Sequence, residues 1–226
     1  MHIADGIMAP PIWALGYVIS IPMLAYAIRR TRDDLGEAQI PLLGVLAAGI
    51  FVAQMLNFPI GGGTTGHLIG AALAAILLGP YAMVLIITVV LIIQALLFGD
   101  GGVTALGLNI LNMAIVGGGI ASIVYYAFNR NGPSENKTRW YGSTFAAAWM
   151  AVVAGALACA VELGASAAIN PEYGVPLWIA VPTMGITHAF IGIGEGVVTV
   201  LVVAFIAAVR PEIISARRKA SLPATS

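Results

Sequence analysis

From residue 33 to residue 129 the chain carries no lysine and no arginine. The ten basic residues fall in three clusters, Arg29, Arg30 and Arg32, then Arg130, Lys137 and Arg139, then Arg210, Arg217, Arg218 and Lys219. The stretches between them are long and apolar. Charged residues make up 9% of the sequence and hydrophobic ones 60%, against roughly a quarter charged in a soluble domain. Such a chain reads as an all-α polytopic membrane protein, a single integral membrane domain over residues 1–226. A span takes ~20 apolar residues, so six to eight fit and no soluble catalytic or ATP-binding domain does. The lone Cys159 excludes an internal disulfide framework and a multi-cysteine metal cluster.

Lys and Arg near span ends stay in the cytoplasm, so each cluster marks a loop or tail on that side. The apolar run Pro10 to Ile28 precedes Arg29-Arg30, the reverse of a secretory signal. The N-terminus is therefore expected outside, with Met1 retained and its amine exposed there. The run from Gly66 to Phe98 would make one helix of ~50 Å at ~1.5 Å per residue, too long for a ~30 Å hydrocarbon layer. Gly79-Pro80 divides it into two short helices packed inside the bundle, and that count also puts all three basic clusters on one face. Seven transmembrane helices result, about 10–28, 40–57, 66–78, 81–98, 104–128, 141–168 and 177–209. The N-terminus is outside and the C-terminus cytoplasmic. Turns at Phe58–Gly63, where glycines allow tight folding, at Gly99–Gly102 and at Asn170–Pro176 face outward, and His67 opens the third helix.

Met1-His2 carries a chelating possibility. A free amine, the backbone nitrogen of residue 2 and the His2 imidazole close a five- and a six-membered ring on one ion, placing three nitrogens in a plane. The fourth corner falls naturally to another imidazole, and His67 lies on the same outer face. An ionised amide in a four-nitrogen plane suits Ni(II) or Cu(II), and less surely Co(II), rather than tetrahedral Zn(II). An ordinary surface histidine after the first methionine is the plain alternative.

Other polar groups divide between site support and packing. His188 lies in the outer half of the last span, as a site residue or as a hydrogen-bonding filler. Asp5, Asp100 and Glu172 are outer. Glu162 and Glu195 sit within the membrane, where an ionisable group is a functional candidate by default and otherwise a helix glue. Asn109 and Asn112, three apart, share a face that supports an imidazole or the glycine-rich loop, or cross-bonds helices. Gly44 and Ala48, with Gly49 and Ala53, make small faces for another span of this chain or for a partner subunit. Val116-Gly117-Gly118-Gly119 packs similarly and is no phosphate loop, lacking a following Lys-Ser/Thr.

Four stretches resemble the CbiM/NikM family, the substrate-binding subunits of energy-coupling factor transporters for nickel and cobalt. They are Met1-His-Ile-Ala-Asp-Gly6, Phe58-Pro-Ile-Gly-Gly-Gly-Thr-Thr-Gly-His67-Leu-Ile-Gly70, Gly99-Asp-Gly-Gly-Val-Thr-Ala-Leu-Gly-Leu-Asn109-Ile-Leu-Asn112-Met113 and His188-Ala-Phe-Ile-Gly-Ile-Gly-Glu195-Gly196. The resemblance implies a seven-helix fold whose extra first helix lets the N-terminus dip into the bundle. It implies Ni(II) or Co(II) as transported substrate, bound by Met1, His2 and His67. Site support is expected from Asp5, Thr65, Asp100, Asn109, Asn112, His188 and Glu195. The implied partners are a membrane coupling subunit, two cytoplasmic ATPase subunits that supply the energy and often a small additional membrane subunit, with the chain crossing the cell's inner (cytoplasmic) membrane several times and no nucleic acid involved. Gly61 stands where many relatives carry proline, which puts the loop's rigidity in question.

Metal capture would displace protons from the amine, His2 and the amide, so binding should weaken on acidification. One rival is a proton-coupled divalent metal carrier using Glu162, Glu195 and His188. Another is an intramembrane hydrolase, but Ser166 and His188 lack a nucleophile-like context. A purely structural membrane subunit is the third.

Overall fold

The computed structural model describes residues 1–34, 36, 39–130 and 132–214. Arg217, Arg218 and Lys219 of the third basic cluster lie outside the described residues. Helices α1 (Pro10–Asp34) and α2 (Ile40–Met55) precede a hairpin of strands β1 (Phe58–Ile60) and β2 (Thr64–Gly66). Then come α3 (Ala71–Leu78), α4 (Pro80–Ile93), α5 (Leu106–Ile110), α6 (Gly118–Phe128), α7 (Lys137–Ile169) and α8 (Leu177–Val209). One wide π turn, Gln94–Phe98, extends α4, and another, Leu111–Gly117, joins α5 to α6 in a single rod.

Five helical stretches are long and apolar enough to cross a bilayer: Pro10–Asp33, Pro80–Phe98, Leu106–Phe128, Lys137–Ile169 and Leu177–Val209. The expected span at 40–57 is the shorter apolar helix α2. The expected span at 66–78 is corrected more strongly. Its helix starts only at Ala71 and has 8 residues, a rise of ~12 Å. Gly70, at φ +76, holds the left-handed conformation before it, and Gly79, at φ +94, ends it. Residues 67–70 therefore lie outside any helix or strand, and His67 is not helical. All but one residue of α3 is buried, as expected for a short helix enclosed by the others.

Close approach depends on small residues, as is usual between membrane helices. Where α1 crosses α5, a Cβ on Gly16 would lie 2.6 Å from Leu108 Cδ2, and one on Gly107 2.5 Å from the Tyr17 nitrogen. α7 and α8 pack along their length, with Gly192 against Trp149 and Gly196 against Phe145. In α2 the inward row is Leu46, Ile50 and Gln54. The Cβ positions of Gly44 and Gly49 meet nothing within 4 Å. Among the described residues no other span covers them, so the expectation that another span of this chain packs there is not met. Gly117 does pack as expected, 3.0 Å from Ala151 O at its Cβ position.

The hairpin, absent from the helical expectation, pairs Phe58 with Gly66, Pro59 with Thr65 and Ile60 with Thr64. Gly62 and Gly63 close it at φ +81 and +72, values that glycine adopts without a Cβ penalty. Gly61 takes no positive φ and its Cβ position is open, so the departure from proline there leaves the turn intact. Ile3 bridges Thr64 on the hairpin's free side. Gly102 donates to Ile3 O at 2.7 Å and Gly174 to Ile7 O at 2.8 Å, gathering the loops at one end over the first nine residues.

Candidate metal centre

Residue 3 anchors the chain's first segment. Its N–H donates to Asn109 Oδ1 at 2.9 Å, and its carbonyl accepts from Asn109 Nδ2 at 3.2 Å as well as from Gly102. Asp5 holds the next stretch, accepting from Val103 N at 3.1 Å, Thr104 N at 2.7 Å and the Thr104 hydroxyl at 2.5 Å. That hydroxyl, followed by the backbone donors, keeps the Asp5 carboxyl below its ordinary range. Pinned at 3 and 5, Met1 and His2 are carried inward, 0% and 2% exposed, to meet His67 at 1%.

The amine donates to Thr65 O, and the Met1 thioether lies against α7, 3.2 Å from where a Cβ on Gly155 would stand. The imidazoles of His2 and His67 stack, centroids 4.3 Å apart and planes 19° from parallel. His2 Nε2 faces Gln94 Oε1 at 3.1 Å, and its Nδ1 faces Asp100 Oδ1 at 3.2 Å, with Thr65 Oγ1 near the limit at 3.5 Å. Asn57 Nδ2 holds the other Asp100 oxygen at 2.6 Å. His67 Nδ1 donates to Leu68 O at 2.7 Å, and its Nε2 is buried with no partner.

Burial pushes the Met1 amine down to about 5, lowers His2 and takes His67 well below its ordinary value. Burial thus disfavours the charged form of all three groups. A neutral His2 that donates from Nε2 to Gln94 then directs an Nδ1 lone pair at a carboxylate oxygen, an arrangement that a cation relieves.

The remaining expected residues separate. Asn109 holds the backbone next to His2. Asn112 bonds Glu162 Oε2 at 2.6 Å, not an imidazole or the glycine loop, because its amide lies on the π turn facing α7. Glu195 accepts from Ile69 N at 2.8 Å and Gly70 N at 2.7 Å. His188 donates Nδ1 to Met184 O at 2.8 Å and keeps a buried, unpartnered Nε2. Sequence reasoning missed Gln94, Asn57 and Gln54. Its available signal was the isolated side-chain amides of Gln54 and Gln94 within apolar runs. Among the described residues no three His, Cys, Asp or Glu side chains lie where they could hold an ion together, so a nitrogen-rich site here draws on the main chain.

A helical membrane protein with buried nitrogens gathered at one end has the form of a small-solute carrier. Residues 2–213 match the family described as cobalt uptake substrate-specific transmembrane region, and the chain belongs to that family. It is 45% identical over 214 residues to a putative fused nickel transport protein NikMN of Archaeoglobus fulgidus, with 95% of this chain and 68% of that protein covered. It is 41% identical to the fused nickel transport protein NikMN of Rhodobacter capsulatus, covering 99% of this chain and 66% of that one. It is also 31% identical to the cobalt transport protein CbiM of Sorangium cellulosum, over 95% and 94% of the two chains. The chain thus spans about two thirds of the fused relatives and nearly all of the unfused one. A crystal structure of a truncated transition metal transporter superposes with TM-score 0.81 at 34% identity, covering 92% of this chain and 99% of that one. The protein is a membrane transport component, not an enzyme.

Proposed function

We propose that this chain captures Ni(II) or Co(II) through the Met1 amine, the His2 amide nitrogen, His2 Nδ1 and His67 Nε2. The observation that carries this reading is the buried stack of His2 on His67 beside the Met1 amine. Six-membered ring closure requires Nδ1 of His2, which leaves the ring proton on Nε2 facing Gln94 Oε1. Asp100 lies beside Nδ1 and offsets the ion's charge. His67 has the tautomer a ligand needs, Nδ1–H on a backbone carbonyl and Nε2 free. Planar nitrogen ligation including an amide leans toward Ni(II), and copper would bind more tightly still, so selection in the cell rests on geometry and availability.

The wider reading places all seven helices in the inner membrane, with the site outside and the Arg29–Arg32, Arg130–Arg139 and Arg210 ends in the cytoplasm. Among the described residues no element supplies energy for uphill uptake. An energy-coupling factor system would supply it, comprising a membrane coupling subunit and two cytoplasmic ATPases, with a small additional membrane subunit. The deciding experiment acetylates or extends the N-terminus of the purified protein and titrates it with nickel. Loss of binding is expected, and retained affinity would rule out amine ligation.

A further inference from the structure

The segment after His67 is gripped from two sides by buried side chains. Both oxygens of Glu195, from α8, take main-chain donors, Oε2 from Ile69 at 2.8 Å and Oε1 from Gly70 at 2.7 Å. Gln54, from α2, donates to Ile69 O at 2.7 Å. Contact with α8 continues along the segment. Thr64 Oγ1 lies 3.4 Å from Met184 Sδ, and a Cβ on Gly66 would lie 2.9 Å from Ile191 Cδ1. Residues 64–70 therefore run beside one face of α8, formed by Met184, His188, Ile191 and Glu195.

His67 is tied to that face through a single peptide unit. Its Nδ1 donates to the carbonyl of Leu68, and the N–H of the same planar group, that of Ile69, donates to Glu195. Turning the Leu68–Ile69 peptide turns the imidazole's anchor with it. A carboxylate buried at this depth is costly unless it is fully engaged, and here each oxygen meets one of two consecutive amides. Those amides precede α3, where Gly70 has the left-handed φ that brings them round.

We propose that Glu195 is the positioning residue of the metal site, fixing the His67 ring through the Leu68–Ile69 peptide and thereby joining the site to α8. This rests on His67 being a ligand. The consequence is mechanical: a shift of α8 relative to α3 loosens the fourth nitrogen and leaves the three-nitrogen chelate intact, which provides a route to release.

The test is a double-mutant cycle on the full-length protein in detergent, with Ni(II) alone as the probe. Glu195→Ala and Glu195→Gln are compared in the wild-type and His67→Ala backgrounds. Glutamine keeps the volume and one acceptor but turns an NH2 toward an amide N–H, so it carries the test if the alanine variant does not fold. In the wild-type background both are expected to weaken binding about 10–100-fold and to move the nickel d–d absorption toward that of His67→Ala. In the His67→Ala background the same changes should cost less than about twofold, since effects acting through one group do not add. Unchanged affinity and spectrum, or an equal loss in both backgrounds, would overturn the proposal. If His67→Ala itself binds nickel like the wild type, the ligand assignment fails first. If it weakens binding while the Glu195 variants do not, only the positioning role fails.

Discussion

At the scale of single residues, the site is a small set of polar atoms with unusual obligations. His2 has its ring nitrogens between an amide oxygen and a carboxylate, and His67 has one nitrogen committed and one free. Removing His67 should weaken nickel binding roughly a hundred-fold, ~3 kcal/mol, in an equilibrium titration of His67→Ala, whereas a merely structural subunit would be unaffected. Gln94→Leu should cost about tenfold, because it frees the His2 ring without removing a donor nitrogen. The pH dependence has a definite sign. Ionising the amide releases about one proton per ion, so affinity should fall about tenfold per unit of acidification near neutrality. Burial holds the folded amine down to about 5, so proton competition for it begins only as the pH approaches that value and steepens the fall below it. A competition titration between pH 8 and 4.5 measures both slopes. His2 and His67 were legible in the sequence because few polar groups interrupt the chain and both fall at one face. Gln94 and Asn57 were not, since which amide meets which ring depends on two rods meeting across the fold.

At the scale of elements, the long helices were legible and the short ones were not. Leu177–Val209 matches its expected bounds, because a long apolar run, broken among ionisable residues only by His188 and Glu195 and followed by Arg210, leaves few alternatives. The hairpin was hidden because its strands are three residues each and show no period. The start of α3 was misplaced because composition does not distinguish apolar irregular chain from apolar helix over four residues. What keeps residues 67–70 out of the helix is long-range, the clasp by Glu195 and Gln54. Gly70→Ala tests that local geometry. A Cβ at φ +76 costs about 1–2 kcal/mol and would also stand 2.7 Å from Ile50 Cγ1. The variant should unfold at lower temperature and bind nickel more weakly, as thermal melts with and without metal would show.

At the scale of the molecule, one end gathers the N-terminal segment, the hairpin and the 99–104 and 170–175 loops, and the described basic residues belong to the other. The proposed membrane orientation rests on that asymmetry. In intact cells Glu172→Cys should react with a membrane-impermeant thiol reagent, and Arg139→Cys only after permeabilisation. The native Cys159 is fully buried and gives a silent background, while the reverse labelling pattern would invert the topology. The most direct test of the centre itself is nickel-edge X-ray absorption on the intact protein. A site built by the folded-back chain start predicts a planar shell of four nitrogens with imidazole scattering, and the loss of that shell when the N-terminus is extended. A six-coordinate, oxygen-rich shell, or a spectrum indifferent to the extension, would contradict it.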